Sequence, residues 1–235
     1  MKITILLTAL LLMLTHGVCC GAHNEQHLST TIQKAIDLDY LLFLPHGYAA
    51  TTNQSWPMIL FLHGSGERGK DLSKVKIYGP PKRAEAETNF PFIVVSPQCP
   101  AEQWWDADAL YALVQTIIKT YRVDTNRLYL TGLSMGGFGT WNMAMAYPRL
   151  FAAIAPVCGG GDAAKAATVR HIPVWVFHGA DDPAVPVQRS EQMVAALQQA
   201  GGDVRFTRYE KTGHDSWTKA YNDPELYTWF LQHRK

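Results

Sequence analysis

Apolar residues in this chain come in short, nearly continuous runs separated by stretches spaced for amphipathic helices. Met58-Ile-Leu-Phe-Leu62, Phe92-Ile-Val-Val-Ser96 and Ile172-Pro-Val-Trp-Val-Phe177 carry almost no polar residue, the mark of strands covered on both faces. Leu128–Thr131, Phe151–Ala155 and Val204–Tyr209 read as three more strands. Thr30 to Tyr48 reads as two, the clearer being Leu38–Leu44, ended by Pro45-His46-Gly47-Tyr48. Between these runs, Leu110, Leu113, Val114, Ile117 and Ile118 keep i, i+3, i+4 spacing behind Asp106 as N-cap. Val187–Gln199 reads as another helix, stopped by Gly201-Gly202, and a last one starts at Pro224 behind Asp223. Lys70–Glu87 reads as one or two short helices broken at Gly79-Pro80-Pro81, and Arg122–Arg127 as a turn. Strands alternating with helices predict an α/β fold: a mostly parallel central sheet of about eight strands with helices on both faces.

The first 22 residues break the pattern. Lys2 precedes an apolar run from Ile3 to Leu14, and small residues follow at Val18, Cys19, Cys20 and Ala22. The run is too short to span a bilayer as a normal helix and has the charged, apolar, small order of a secretory signal. Met1–Ala22 is therefore expected to be a signal peptide, and residues 23–235 a single domain, secreted or periplasmic. Cys19 or Cys20 as a lipid-modified terminus is supported poorly by Thr15-His16-Gly17-Val18 before them.

Twenty-one Lys and Arg against twenty Asp and Glu leave a net charge of +1, so no electrostatic case exists for nucleic acid or an anionic membrane as partner. Cys99 and Cys158 each follow a strand, and those strands should lie several places apart. At about 4.8 Å per strand step the gap exceeds disulfide reach, so both thiols are expected free and buried.

The chemistry centres on Gly132-Leu133-Ser134-Met135-Gly136, a G-x-S-x-G sequence between the Leu128–Thr131 strand and a helix running to Tyr147. A turn this tight strains the serine backbone, crowds the two glycines and lifts Ser134 Oγ above the strand ends as a nucleophile. Upstream, His63-Gly-Ser-Gly-Glu-Arg-Gly69 follows a buried strand; its glycines let backbone N–H groups turn inward. Ser65 N–H and Met135 N–H are the expected oxyanion donors. Downstream, a carboxylate should follow a late strand, where Asp181 and Asp182 both qualify, and a histidine should follow the last strand, where His214 stands. His63 and His178, in His-Gly pairs at strand ends, read as neutral rings packed beside the site. No HExxH or clustered Cys/His spacing supports a metal, and no cofactor is expected.

Together the segments His63–Gly69, Pro97-Gln98-Cys99-Pro100, Gly132–Gly136, His178-Gly-Ala-Asp-Asp-Pro-Ala-Val-Pro186 and Gly213-His-Asp-Ser-Trp217 resemble the phospholipase/carboxylesterase and feruloyl-esterase-like α/β hydrolases. More narrowly, they are similar to exported bacterial members described as predicted peptidases or dienelactone-hydrolase-like proteins. The resemblance spans nearly all of residues 23–235. It implies the α/β-hydrolase fold and places the acid, the fifth position of its H-G-x-x-D-x-x-V-P pattern, on Asp182. It also places the oxyanion donors on Ser65 and Met135. Dienelactone hydrolases proper use cysteine as nucleophile, whereas this chain has Ser134, which argues against dienelactone as substrate.

The expected activity is ester hydrolysis through an acyl-enzyme, on acetyl or feruloyl esters of polysaccharides or on small acyl esters. The stretch Gly159–Arg170 is too short for a lid domain, so an open site is expected, with Trp104, Trp105 and Gln98 as candidate substrate contacts. A peptidase of the same fold is the second reading and a non-catalytic binding module the third.

Overall fold

The computed structural model describes residues 27–30 and 33–235, which divide into two units, one ending at Asp37 and the other Leu38–Lys235. In the first unit the described residues form no helix or strand. The expected signal segment lies outside the described residues.

The second unit is built on a seven-stranded sheet: β1 (Tyr40–Phe43), β2 (Trp56–Leu62), β3 (Ile93–Pro97), β4 (Val123–Leu133), β5 (Ala153–Val157), β6 (Val174–Gly179) and β7 (Val204–Tyr209). Their order is β1-β3-β2-β4-β5-β6-β7, with β1 antiparallel to β3 and every other pair parallel. The expected α/β layering is therefore present with one strand fewer than the pattern suggests. The additional strand was expected in the segment beginning at Thr30; residues 33–39 form none, and residues 31–32 lie outside the described set. Gln33, Lys34 and Asp37 deny that segment an apolar face.

Two further differences have local causes. The segment Arg122–Arg127 is not only a turn: β4 already begins at Val123, which pairs with Trp56, and a register shift follows before Met58 pairs with Leu128. The polar residues at this solvent end satisfy each other, with Arg127 bound to Asp124 at 2.8 Å. Gly79-Pro80-Pro81 starts a helix rather than breaking one. Proline lacks an N–H that the first turn would not use, so these residues open α1 (Gly79–Ala86).

Helices α2 (Ala107–Thr120), α3 (Met135–Ala146) and α4 (Gln188–Gln199) cover one face of the sheet, where Val114, Ile117, Trp141, Met193 and Leu197 pack on Leu60, Leu130 and Ile154. On the other face lie α1, α5 (Trp217–Asn222) and α6 (Pro224–Gln232), with Tyr221, Tyr227 and Phe230 against Phe92, Tyr129 and Trp175. The caps at Asp106 and Asp223 form as expected, each carboxylate accepting backbone N–H groups of its first turn. A sheet covered on both faces is why β2, β3, β5 and β6 are buried along their whole length. Parallel strands all end on the same edge, and that edge collects the loops bearing every expected catalytic residue. Among the described residues, no helix is long and apolar enough to cross a membrane.

Candidate active site

Ser134 sits between β4 and α3 with φ +51° and ψ −116°, a conformation that a non-glycine residue holds at a cost of about 1–3 kcal/mol. The neighbours explain the two glycines. A Cβ on Gly132 would meet the carbonyl of Gly136, and one on Gly136 would meet the carbonyl of Leu62. The strained turn is held from outside: Ser134 N–H donates to Val157 O at 3.0 Å, and Phe138 N–H to Ser134 O at 3.1 Å.

His214, on the loop after β7, places Nε2 2.9 Å from Ser134 Oγ and Nδ1 2.7 Å from Asp182 Oδ2. Asp182 lies after β6 and is 7% exposed; neighbouring Asp181 points to solvent. The other carboxylate oxygen accepts from Ala184 N–H and Val185 N–H, each at 2.9 Å. Burial pushes the Asp182 pKa up, but the hydrogen bonds from His214, Val185 and Ala184 outweigh it and hold it below the ordinary value. An ionised carboxylate only accepts, so His214 carries its proton on Nδ1 and leaves Nε2 to accept from the Ser134 hydroxyl. The three residues, from loops far apart in sequence, form one hydrogen-bonded chain. It can deprotonate the serine and keep the resulting imidazolium beside a negative charge.

The two expected oxyanion donors each open a helical turn. Met135 is the first residue of α3, and Ser65 begins a 3-10 turn over Ser65–Glu67. N–H groups at such positions have no acceptor within their own turn. The loop carrying Ser65 is tied down closely. Gly64 N–H donates to Glu67 Oε2 at 2.9 Å, and burial raises the Glu67 pKa. Gln98 is 2% exposed and spends its amide N–H groups on Glu67 O at 2.7 Å and Asp71 O at 2.8 Å. His63 accepts from Cys99 N–H at Nε2 (3.0 Å) and donates from Nδ1 to Gly64 O (2.6 Å). Burial, against the bond to Gly64, lowers its pKa to about 4, so the ring is neutral as the sequence suggested. Trp105 is 6% exposed, its ring against His63 and its Nε1–H on His63 O at 3.2 Å. Gln98 and Trp105 thus support the His63–Gly69 loop, and their buried positions do not match the expected substrate contact.

Trp104 differs: it is 65% exposed and stands edge-on to Phe138, one helical turn from Ser134. The two rings wall a cavity of about 550 Å³ that runs along α3 past Asn142 to Asp162 and Lys165. Gly139 and Gly160 line the same cavity; a Cβ on Gly139 would press on Trp105 and one on Gly160 on Arg189 and Phe138.

Cys158 follows β5 with φ +40°, and both it and Cys99 are free and buried as expected. Their strands lie three places apart in the sheet, which explains the absence of a bond between them. The Cys158, Asp182 and His214 ligand atoms all lie within 4.8 Å of one another, close enough to suggest a metal. Asp182 and His214 already bind each other, however, and burial raises the Cys158 thiol to about 12.

A mostly parallel sheet with a serine on a strained strand–helix turn, and with acid and histidine after the last two strands, defines an α/β hydrolase. The chain belongs to the phospholipase/carboxylesterase family, whose profile matches residues 105–224, half of its length; an esterase family profile also matches residues 35–163. A thermostable esterase of known structure is 35% identical, with a TM-score of 0.74 over 86% of this chain and 60% of its own. A bifunctional acetylxylan esterase/xylanase of Neocallimastix patriciarum is 30% identical over 37% of this chain, which spans only 13% of that protein. The "Probable feruloyl esterase C" of Aspergillus terreus is 25% identical over 77% of this chain and 68% of its own.

Proposed function

We propose that this protein is a serine carboxylic-ester hydrolase acting through an acyl-enzyme at Ser134. The observation that carries the reading is the unbroken chain from Ser134 Oγ through His214 to the buried Asp182. As Oγ attacks the ester carbonyl, its proton passes to His214 Nε2, and the negative charge develops between the Ser65 and Met135 N–H groups. His214 then hands the proton to the departing alkoxide, leaving the acyl group on Oγ. Water enters, gives a proton to His214 and attacks the acyl carbon; the carboxylic acid leaves as the proton returns to Ser134. Each proton taken up is given back, so the protein is unchanged by a turnover.

The substrate reading follows from the cavity walled by Trp104 and Phe138, which Ser134 does not line but which begins one helical turn further along α3. The exposed Trp104 ring and Phe138 offer flat apolar faces, with Asn142, Asp162 and Lys165 as polar partners. Such a groove suits a sugar or phenyl ring attached to the ester. Acetyl or feruloyl esters of polysaccharide fit it, in keeping with the acetylxylan esterase and feruloyl esterase among its relatives. Under this reading, Met1–Ala22 directs export, residues 23–235 form the catalytic chain, and the enzyme works outside the cytoplasm.

Ser134→Ala should abolish hydrolysis of p-nitrophenyl acetate and fluorophosphonate labelling while leaving the melting temperature within a few degrees of wild type. Retained turnover would sink the assignment. A panel of acetyl, butyryl and feruloyl esters, acetylated xylan and peptide amides separates esterase from peptidase and ranks the acyl groups.

A further inference from the structure

His178 closes β6, is fully buried, and reads from the sequence as a ring packed near the site. Its contacts are with the acid itself. His178 Nε2 lies 2.9 Å from Val185 O and 3.2 Å from Asp182 Oδ2, the oxygen that also takes His214 Nδ1 at 2.7 Å. On the far side of the ring, Nδ1 lies 2.7 Å from Ser190 Oγ, which is itself 2.9 Å from Gly159 O.

The hydrogen inventory decides the tautomer. Val185 O and an ionised Asp182 can only accept, so Nε2 carries a proton. Burial lowers the His178 pKa, so the ring is neutral and Nδ1 holds a lone pair; the single Ser190 hydroxyl proton lies between that lone pair and Gly159 O, which can only accept. The ring is thus fixed at both nitrogens, with Nε2–H aimed at the space between Val185 O and Asp182 Oδ2.

Asp182 needs such a partner. Ala184 and Val185 N–H groups grip Oδ1 only, which leaves Oδ2 free to swing unless donors hold it as well. His214 cannot serve alone, because it is the group that Oδ2 must orient and it sits on a loop. His178 belongs to a fully buried strand inside the sheet and supplies a fixed point.

We propose that His178 is a positioning residue for the Asp182–His214 pair: its Nε2–H holds Asp182 Oδ2 against His214 Nδ1, so that His214 Nε2 faces Ser134. The role rests on the serine-hydrolase reading above. Ser190 is part of it, since its oxygen lies 2.7 Å from His178 Nδ1 and braces the ring from the far side. His178 lies behind the acid, away from the bound ester, so its loss should appear in kcat and not in KM. A displacement of about 1 Å in such a constellation costs on the order of a hundredfold in rate.

The test compares His178→Leu, His178→Gln and Ser190→Ala, each labelled to completion with a fluorophosphonate so that kcat for p-nitrophenyl acetate is counted per reactive serine. Leucine removes the donor, whereas a glutamine amide can present N–H near the place of Nε2. Leucine should lower kcat per labelled site about 10- to 100-fold with KM within about twofold, and glutamine should recover to within about fivefold of wild type. If leucine prevents folding, Ser190→Ala carries the comparison, and a loss of about threefold or more is expected. Leucine, or in its place Ser190→Ala, at the wild-type kcat per site overturns the role, as does an equal fall in leucine and glutamine. A wild-type protein that neither labels nor turns over an ester overturns the hydrolase reading itself.

Discussion

Replacing Asp182 with asparagine changes one oxygen into an NH2 group, and the structure says what that group would meet. The amide oxygen can take the place of Oδ1 and keep the Ala184 and Val185 N–H bonds. Its NH2 then occupies the Oδ2 position, 2.7 Å from His214 Nδ1 and 3.2 Å from His178 Nε2. His214 can pair with an NH2 only by accepting at Nδ1, which moves its proton to Nε2 and points an N–H at Ser134 Oγ. The general base is lost while the fold remains, and kcat should fall about ten-thousandfold, about 5.5 kcal/mol of barrier.

The variant should also lose stability, because an NH2 replaces the carboxylate oxygen that accepts from His178 Nε2–H and leaves that donor with Val185 O alone; losing a hydrogen bond to a charged group costs about 1.5–3 kcal/mol, or roughly 3–12 °C in melting temperature at this size. The pH dependence has a definite sign. The Asp182 pKa is depressed below its ordinary 3.8, so its stabilisation is present above that pH and disappears as pH falls below it. The gap in melting temperature between wild type and Asp182→Asn should therefore narrow below about pH 3.8. Steady-state kinetics on p-nitrophenyl acetate and calorimetry across pH measure both effects. A variant within tenfold of the wild-type kcat would refute the tautomer argument.

Gly136→Ala drives a methyl group into the Leu62 carbonyl and toward His63 O at 2.7 Å, backbone atoms that cannot turn aside. A loss of about 3 kcal/mol, or roughly 6–12 °C, is expected in thermal melts, and an unchanged melting temperature would contradict the packing described. His63 is held neutral, with its pKa lowered from 6.5 to about 4. Unfolding lets it take up a proton, so stability should fall as pH drops from 6.5 to about 4, by up to about 3 kcal/mol. Urea midpoints over that range should decline less steeply in His63→Asn; parallel curves would remove His63 as the cause. Cys99 and Cys158 are buried with thiols raised to about 11 and about 12, so Ellman's reagent should react slowly with folded protein and fully after denaturation. Rapid titration of either native thiol would count against its burial.

Much of the site was legible from residue types because strand–turn chemistry is local. The elbow glycines, the strained Ser134 and the caps at Asp106 and Asp223 each depend on neighbours within a few residues. The parallel sheet was legible for a related reason: strands covered on both faces must be continuously apolar, and those runs appear directly in the chain. The choice between Asp181 and Asp182 was different in kind. Both are acidic residues after the same strand, and composition and spacing treat them alike; the family pattern separated them before any geometry did. The structure adds the reason, burying one carboxylate against His214 and leaving the other in water.

Other features could come only from the tertiary structure, since they depend on distances between segments far apart in sequence. Trp104 and Trp105 are adjacent and identical in type, yet one ring is exposed beside a groove while the other packs on His63. Gln98 reads as available to substrate, yet its buried amide holds the backbone at Glu67 and Asp71. His178 gave no local sign of its tie to Asp182, because that tie depends on how β6, the turn after it and the Ser190 helix fold onto one another. The sequence by itself determined which groups can do the chemistry: a serine in a strained turn, a carboxylate and a histidine in workable order. Only the folded sheet determined which of them meet, because a hydrogen bond acts over about 3 Å and chain order sets no such distance.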